Sequence, residues 1–301
     1  MAAVWKEQGE RSNVLALRLI TWIAQRLGRP VARLLLYPIT LYFVVAVPRA
    51  RRASLAYLRR ALGREPGWAD AFRHVFSFAS TILDRLFLLN GRHELFDTEV
   101  IGQKEIHAAL DLGRGAVVVG AHLGSFEAVR ATSRHVGDLK VSMVMYEDNA
   151  AKLNQILHAI NPDLKQNIIP LGQVDSMLRV KHALESGELV GMLCDRSLSD
   201  EPGRRVSFLG REANFPVGPF RLAAMLKRPV ILIVGLYLGG HRYEIHFEHL
   251  ADFSQPGAPS MDETIDRYVS RLAHYCRTAP YNWFNFYDFW DEFGERSAGT
   301  G

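Results

Sequence analysis

Two side chains in the stretch GAVVVGAHLGSFEAVR (residues 115–130) have the makings of a proton-transfer pair: His122 and, five positions on, Glu127. A carboxylate that accepts one imidazole N–H fixes the tautomer and raises the basicity of the other ring nitrogen. That is what removing a proton from a hydroxyl requires. Five residues advance a helix by about 500°, so the two do not share a helix face. They meet if His122 ends a strand, Leu123 to Ser125 turn, and Glu127 opens the next helix, with Gly124 giving the turn its freedom. The spacing alone equally allows a histidine satisfied by backbone beside an unrelated surface glutamate.

A second polar cluster, Cys194-Asp195-Arg196-Ser197, follows another apolar run. It opens a polar, glycine-containing loop that carries Arg204, Arg205 and Arg211. Such arginines are either solvated or grip a phosphate or a substrate carbonyl. The loop closes on Phe215-Pro216-Val217-Gly218-Pro219, a rigid lead-in to an apolar helix. Cationic groups beside an apolar edge suit a substrate with a charged head and an oily tail. Zinc is a poor fit, because His122, Glu127 and His135 lack the i, i+4 spacing of helical zinc sites. A serine-hydrolase elbow is absent too, since Ser125 directly follows Gly124 and breaks the G-x-S-x-G pattern. No metal or cofactor is expected.

The surrounding pattern says what must position these groups. Short apolar runs, most of them rich in β-branched residues, occupy 115–121, 140–146, 167–171, 188–194 and 229–238. Helical periodicity occupies 126–135, 150–160, 174–186 and 217–227 between them. This alternation predicts an α/β fold: a mostly parallel central sheet flanked by helices. In such sheets ligand sites gather beyond the carboxyl ends of the strands, where both polar clusters fall. The stretch 241–250 alternates apolar and polar, which predicts a more exposed strand paired with the preceding one. An apolar helix is expected over 68–89, stopped by Asn90-Gly91, and another over 262–277, followed by the aromatic tail PYNWFNFYDFW.

The chain has 301 residues, enough for a sizeable core, and 48% of them are hydrophobic, which excludes disorder as the main state. Its two cysteines, Cys194 and Cys276, form no disulfide framework and fit a reducing compartment. Charge is uneven. Residues 1–64 hold 12 Lys and Arg against 2 Glu, whereas the remainder holds 24 basic against 30 acidic residues. A basic arm on an acidic body points to a polyanion at one end only. The arm carries LLLYPITLYFVVAV at 34–47, fourteen uncharged residues or about 21 Å of helix, against a hydrocarbon core of roughly 30 Å. Arg26, Arg29 and Arg33 flank it on one side and Arg49, Arg51 and Arg52 on the other. Residues 13–29 space leucines, Ile20 and Trp22 around arginines as in a helix lying in a membrane surface. A single span, an in-plane or re-entrant anchor, and a buried core helix all remain open. The expected division is an N-terminal membrane-anchoring region, 1–64, before a catalytic domain, 65–301.

Taken in order, these motifs resemble the lysophospholipid acyltransferase superfamily, and within it the late acyltransferases of lipid A biosynthesis. The resemblance rests on H-x4-D/E as His122-LGSF-Glu127 and on G-x-x-x-D-R as Gly191-MLC-Asp195-Arg196. It rests also on Phe208, Gly210, Ala213, Pro216 and Gly218, the N-terminal anchor and Asn282-Trp283-Phe284-Asn285. It implies transfer of a fatty acyl chain from an acyl carrier protein or CoA thioester to a hydroxyl of a lipid or glycolipid acceptor. It implies no nucleic acid partner. The setting would be the cytoplasmic face of a bacterial inner membrane, with the protein peripheral or single-pass. By the same resemblance His122 is the general base and Glu127 its orienting partner. Gly124, Ser125, Asp195, Arg196, Arg211, Pro216 and Gly218 would line the substrate site. The oxyanion would draw on backbone N–H groups near Gly124 or on Arg196. Lipid A acyltransferases commonly carry an arginine where this chain has Tyr146-Glu147-Asp148. That segment and the aromatic tail are similar to relatives encoded with aryl-polyene pigment pathways. Two other functions share these residues: an inactive lipid-binding or scaffold protein, and a hydrolase using the same dyad.

Overall fold

All six runs read as strands fall into one sheet. The computed structural model describes residues 14–111, 113–132, 140–146, 149, 167–173, 175–196 and 203–290; the helix expected at 150–160 and most of the Tyr146-Glu147-Asp148 segment lie outside them. In chain order the elements are α1 (Val14–Ala46), α2 (Pro48–Leu62), α3 (Trp68–Leu89), β1 (Asp97–Ile101), α4 (Gln103–Asp111), β2 (Ala116–Gly120), α5 (Phe126–Thr132), β3 (Val141–Tyr146) and β4 (Asn167–Leu171). They continue as α6 (Ser176–Glu185), β5 (Leu189–Leu193), β6 (Gly203–Phe208), β7 (Arg211–Pro216), α7 (Gly218–Met225), β8 (Pro229–Gly239), β9 (Arg242–Asp252) and α8 (Met261–Thr278).

Seven strands order as β1-β9-β8-β2-β5-β3-β4, all neighbours parallel except the antiparallel pair β8 and β9. The central strands are apolar on both sides because helices cover both faces. Val117 and Val119 join one core with Phe220 of α7, Tyr268 and Leu272 of α8, and Leu184 of α6. Ala116 and Val118 face the other way, against Ile106 of α4 and Ala128 and Val129 of α5. Each fully buried side chain of this size contributes about 1.5–3 kcal/mol of transfer free energy, so the middle of the sheet is the stiffest part of the molecule.

Several elements escaped the pattern, among them α2, α4 and three strands. β1 is the edge strand, half-exposed and mostly polar, so its run DTEVI lacks an apolar signature. The stretch expected to be a polar loop forms the antiparallel hairpin β6–β7 instead. Its charged residues are the outward half of an alternation whose inward half is Phe208, Ala213 and Phe215, all buried. Arg204 of this hairpin is held by Asp262 and Asp266 on α8.

At the N-terminus the two apolar segments join into α1, broken at Gly28, whose φ of 81° only glycine takes readily, with Pro30 starting the second half. Ala32 and Leu36 of α1 pack against Leu83 and Phe87 of α3. The basic stretch after it is itself a helix, α2, whose Tyr57 and Leu58 are fully buried in the main core.

Candidate active site

The register of β2 on β5 decides what His122 touches. Gly120 pairs with Leu193, and the Cys194 N–H donates to the Gly120 carbonyl at 2.9 Å, so the ladder continues one step past both strands. His122 and Asp195 each lie two residues beyond the pair Gly120–Leu193 and therefore arrive side by side. The imidazole Nδ1 sits 2.8 Å from Asp195 Oδ1, and the His122 backbone N–H donates to Oδ2 at 3.0 Å. The indole Nε1–H of Trp283 donates to the same Oδ2 at 2.9 Å.

Burial pushes the Asp195 carboxyl up, but the positive charge and hydrogen bond of His122, the nearby Arg196 and the Trp283 N–H outweigh it and hold it well below the usual carboxylate range. An ionised carboxylate only accepts, so Nδ1 carries a proton, and in the neutral form of the ring the lone pair lies on Nε2. Among the described residues Nε2 has no hydrogen-bond partner, and the side chain is 34% exposed. The geometry is that of a base with one nitrogen anchored and the other open.

Backbone on both sides keeps the histidine in place. Residues 122–125 run between β8 and the tail at 282–285. The His122 carbonyl accepts from the Phe284 N–H at 2.8 Å, the Gly124 N–H donates to Asn282 O at 2.8 Å, and the Ser125 N–H donates to Gly235 O at 2.7 Å. Asn282 in turn clips β8, its Oδ1 accepting from the Tyr237 N–H at 2.7 Å and its Nδ2 donating to the Tyr237 carbonyl at 3.0 Å. A Cβ at Gly124 would stand 1.8 Å from the Gly235 carbonyl oxygen, so no other residue fits. The N–H groups of Gly124 and Ser125, among those the resemblance offered for an oxyanion, are thus both bonded to backbone carbonyls.

Glu127 occupies the first turn of α5 and lies 2.8 Å from Arg85 Nε of α3, an ion pair off the N–H axis. The structure thus gives His122 a different carboxylate from the one five residues away. The turn carries Glu127 toward α3, while strand register delivers Asp195. Ser125 is buried, and its Oγ accepts the Ala128 N–H at 3.2 Å, which caps α5. Arg196 donates to the Phe284 carbonyl at 3.1 Å and lies 5.4 Å from the Tyr287 ring centroid; among the described residues its buried Nε has no hydrogen-bond partner. Arg211, Pro216 and Gly218 fall on the hairpin and at the start of α7. Arg211 is exposed opposite Phe208, and Pro216 pairs with Gly203. That hairpin backs Trp283, Phe208 standing 5.3 Å from it.

The chain matches the bacterial lipid A biosynthesis acyltransferase model over residues 81–291, more than half its length. It belongs to that family. No curated protein matches the sequence significantly. Membership makes the protein an acyltransferase and implies an acyl donor and a lipid acceptor. The match begins inside α3, so α1, α2 and the residues of α3 before position 81 lie outside it.

Beside the His122–Asp195 pair is a small, partly open hollow of about 20 Å³, room for little more than a water molecule. Ala121 and Leu123, the two neighbours of His122, line it together with Met143, Gly191 and Ile233. Behind the pair is a second, unanticipated histidine. His74 of α3 is fully buried, its Nε2 2.8 Å from the Trp283 carbonyl and its Nδ1 2.8 Å from Ser54 Oγ of α2. Burial, only partly offset by the bond to Trp283, pushes it down to about 4, so it is neutral. The signal for Asp195 was in the sequence: AVVVGAH and LVGMLCD each run apolar residues up to one ionisable group. Nothing local marked His74, and Asn282 entered only through the Asn282-Trp283-Phe284-Asn285 motif, without a role.

Proposed function

We propose that the protein is an O-acyltransferase that moves a fatty acyl chain from an acyl carrier protein or CoA thioester to a hydroxyl of a lipid or glycolipid at the cytoplasmic membrane face. The observation that carries this reading is the free Nε2 of His122, opposite an Nδ1–H anchored on a buried, ionised Asp195. The acceptor hydroxyl gives its proton to Nε2 as its oxygen attacks the thioester carbonyl. A C–O bond forms, the tetrahedral intermediate collapses, the C–S bond breaks, and the imidazolium returns the proton to the departing thiolate. Asp195 stabilises the imidazolium and keeps the tautomer without taking the proton itself.

Arg196, which follows Asp195 directly, supplies charge for the oxyanion. Glu127 is a positioning residue here: through Arg85 it fixes the first turn of α5 next to the base. Incubating the protein with labelled acyl thioester and membrane lipid extract tests the assignment. Label should move to lipid and depend on added acceptor. Label appearing as free fatty acid at the same rate without acceptor would instead make it a hydrolase.

A further inference from the structure

By length and composition Arg26–Ala46, 21 residues, could cross a bilayer, but it contains the break at Gly28, and the continuous part from Pro30 to Ala46 is about 26 Å of helix. What it does with its arginines argues against crossing. Arg29 places Nε 2.7 Å and Nη2 2.9 Å from the two oxygens of Asp84 on α3, and Nη2 also donates to the Gly240 carbonyl. Asp84 is fully buried and accepts the Tyr243 hydroxyl at 2.7 Å as well. One turn on, Arg33 donates to the Gly240 carbonyl at 2.9 Å and to the Tyr237 hydroxyl at 2.6 Å. Two of the six arginines that by sequence flanked a membrane segment, Arg29 and Arg33, are thus spent inside the protein, latching α1 to α3, β8 and the β8–β9 turn.

The opposite side of α1 is bare. Leu27, Val31, Leu34, Leu41, Tyr42 and Val45 are exposed, Leu34 by 67%, and only 22% of Arg26–Ala46 is buried. To span, α1 would have to leave Asp84 as an uncompensated buried charge or pull α3, with Asp70, Asp84 and Arg85, into hydrocarbon. Breaking one side of a buried ion pair is strongly destabilising, and a charged helix has no place at mid-bilayer.

The rest of the surface suits a leaflet. Trp22 and Trp68 are more than half exposed, as rings at the headgroup level are. Exposed Arg26, Arg49 and Arg52 stand at the ends of the apolar stripe and complement anionic headgroups. Tyr37 of α1 packs on Phe72 and Phe76 of α3, and exposed Phe78 of α3 packs on Phe284, whose N–H holds the His122 carbonyl. The apolar surface therefore continues from α1 to the catalytic tail.

We infer that α1 lies in the plane of an anionic membrane surface with its apolar face down, latched to the catalytic core throughout, and does not cross the bilayer. This rests on the proposed function only in placing the protein at the cytoplasmic face. The test uses the full chain, whose own cysteines, Cys194 and Cys276, are both buried. Arg26→Cys and Ala46→Cys variants are expressed in a Gram-negative host and treated with a membrane-impermeant maleimide in spheroplasts. Neither should label before lysis and both should label after it. Labelling of either from outside overturns the inference. Leu34→Cys carrying an environment-sensitive dye should shift to the blue with vesicles of phosphatidylethanolamine and phosphatidylglycerol, at least tenfold more tightly than with phosphatidylcholine alone. No shift, or equal affinity for both, would also overturn it. His122→Ala should bind those vesicles as the unaltered chain does while losing turnover. A chain that passes both membrane tests yet never transfers acyl groups leaves this inference standing and refutes the proposed function.

Discussion

Two histidines meet at Trp283 from opposite sides, and their surroundings differ in every respect that matters for a proton. His122 reaches the indole N–H through Asp195, is one-third exposed and has a full negative charge at one ring nitrogen. His74 binds the backbone carbonyl of the same tryptophan, is fully buried and has only a hydroxyl at its other nitrogen. A carboxylate makes an imidazolium tolerable at the first, whereas burial without charge forbids it at the second. The first can cycle a proton; the second is a neutral bolt between α2, α3 and the tail. An apolar fold can hold both because Trp283 isolates them, offering its N–H to one and its carbonyl to the other.

That contrast breaks most sharply at the base. His122→Ala should lower acyl transfer by about 10⁴-fold or more; the urea midpoint should fall far less than activity, because buried Asp195 loses the ring N–H but keeps the backbone N–H of residue 122 and the Trp283 indole N–H. Full activity in the purified variant would end the comparison. Asp195→Asn should follow, with kcat down by about 10² to 10⁴ and the acceptor KM little changed, because the amide cannot hold the same tautomer or balance the imidazolium. A single-turnover assay separates this from weakened binding. An Asp195→Asn variant within a fewfold of the parent would mean that Nδ1 needs only an acceptor.

How much of this was visible in the residues depends on whether a contact is local or depends on register. GAVVVGA and ELVGMLC announce buried strands because covered sheets select small and β-branched side chains on both faces. His122 was legible for the same reason, standing where an apolar run stops. Its partner was not. The five-residue spacing to Glu127 is a one-dimensional cue, while adjacency to Asp195 exists only once β2 and β5 pair with Gly120 against Leu193. The hairpin β6–β7 was hidden because its outward arginines dominate the composition and its inward Phe208 and Phe215 are few. Arg29 and Arg33 read as membrane flanks, since nothing in sequence shows that Asp84 and Tyr237 lie some fifty and two hundred residues away waiting for them.

The buried histidine gives a pH test of the same contrast. His74 is pushed from 6.5 to about 4 in the folded protein, so the unfolded chain binds the extra proton between those values. Stability is then complete above pH 6.5 and falls as pH drops toward 4. At about 1.4 kcal/mol per pH unit, the loss is roughly 3 kcal/mol. Urea midpoints measured from pH 7 to pH 4.5 should fall for the parent and fall much less for His74→Gln, which keeps one donor and one acceptor but does not titrate. Parallel curves would show that His74 is not held neutral.

The smallest expected effect is the one that best tests the division of labour between the two carboxylates. Glu127 pairs with Arg85, which is 22% exposed, so removing its charge strands a cation that water partly reaches. Glu127→Gln should therefore cost about tenfold in transfer, well short of Asp195→Asn, and should act by loosening the first turn of α5. Arg85→Gln should cost about the same, and the double variant little more than either, because both disturb one contact. A Glu127→Gln loss as deep as that of Asp195→Asn, with Arg85→Gln near normal, would return Glu127 to the histidine. Asp195 would then be the residue that merely sets the strand ends.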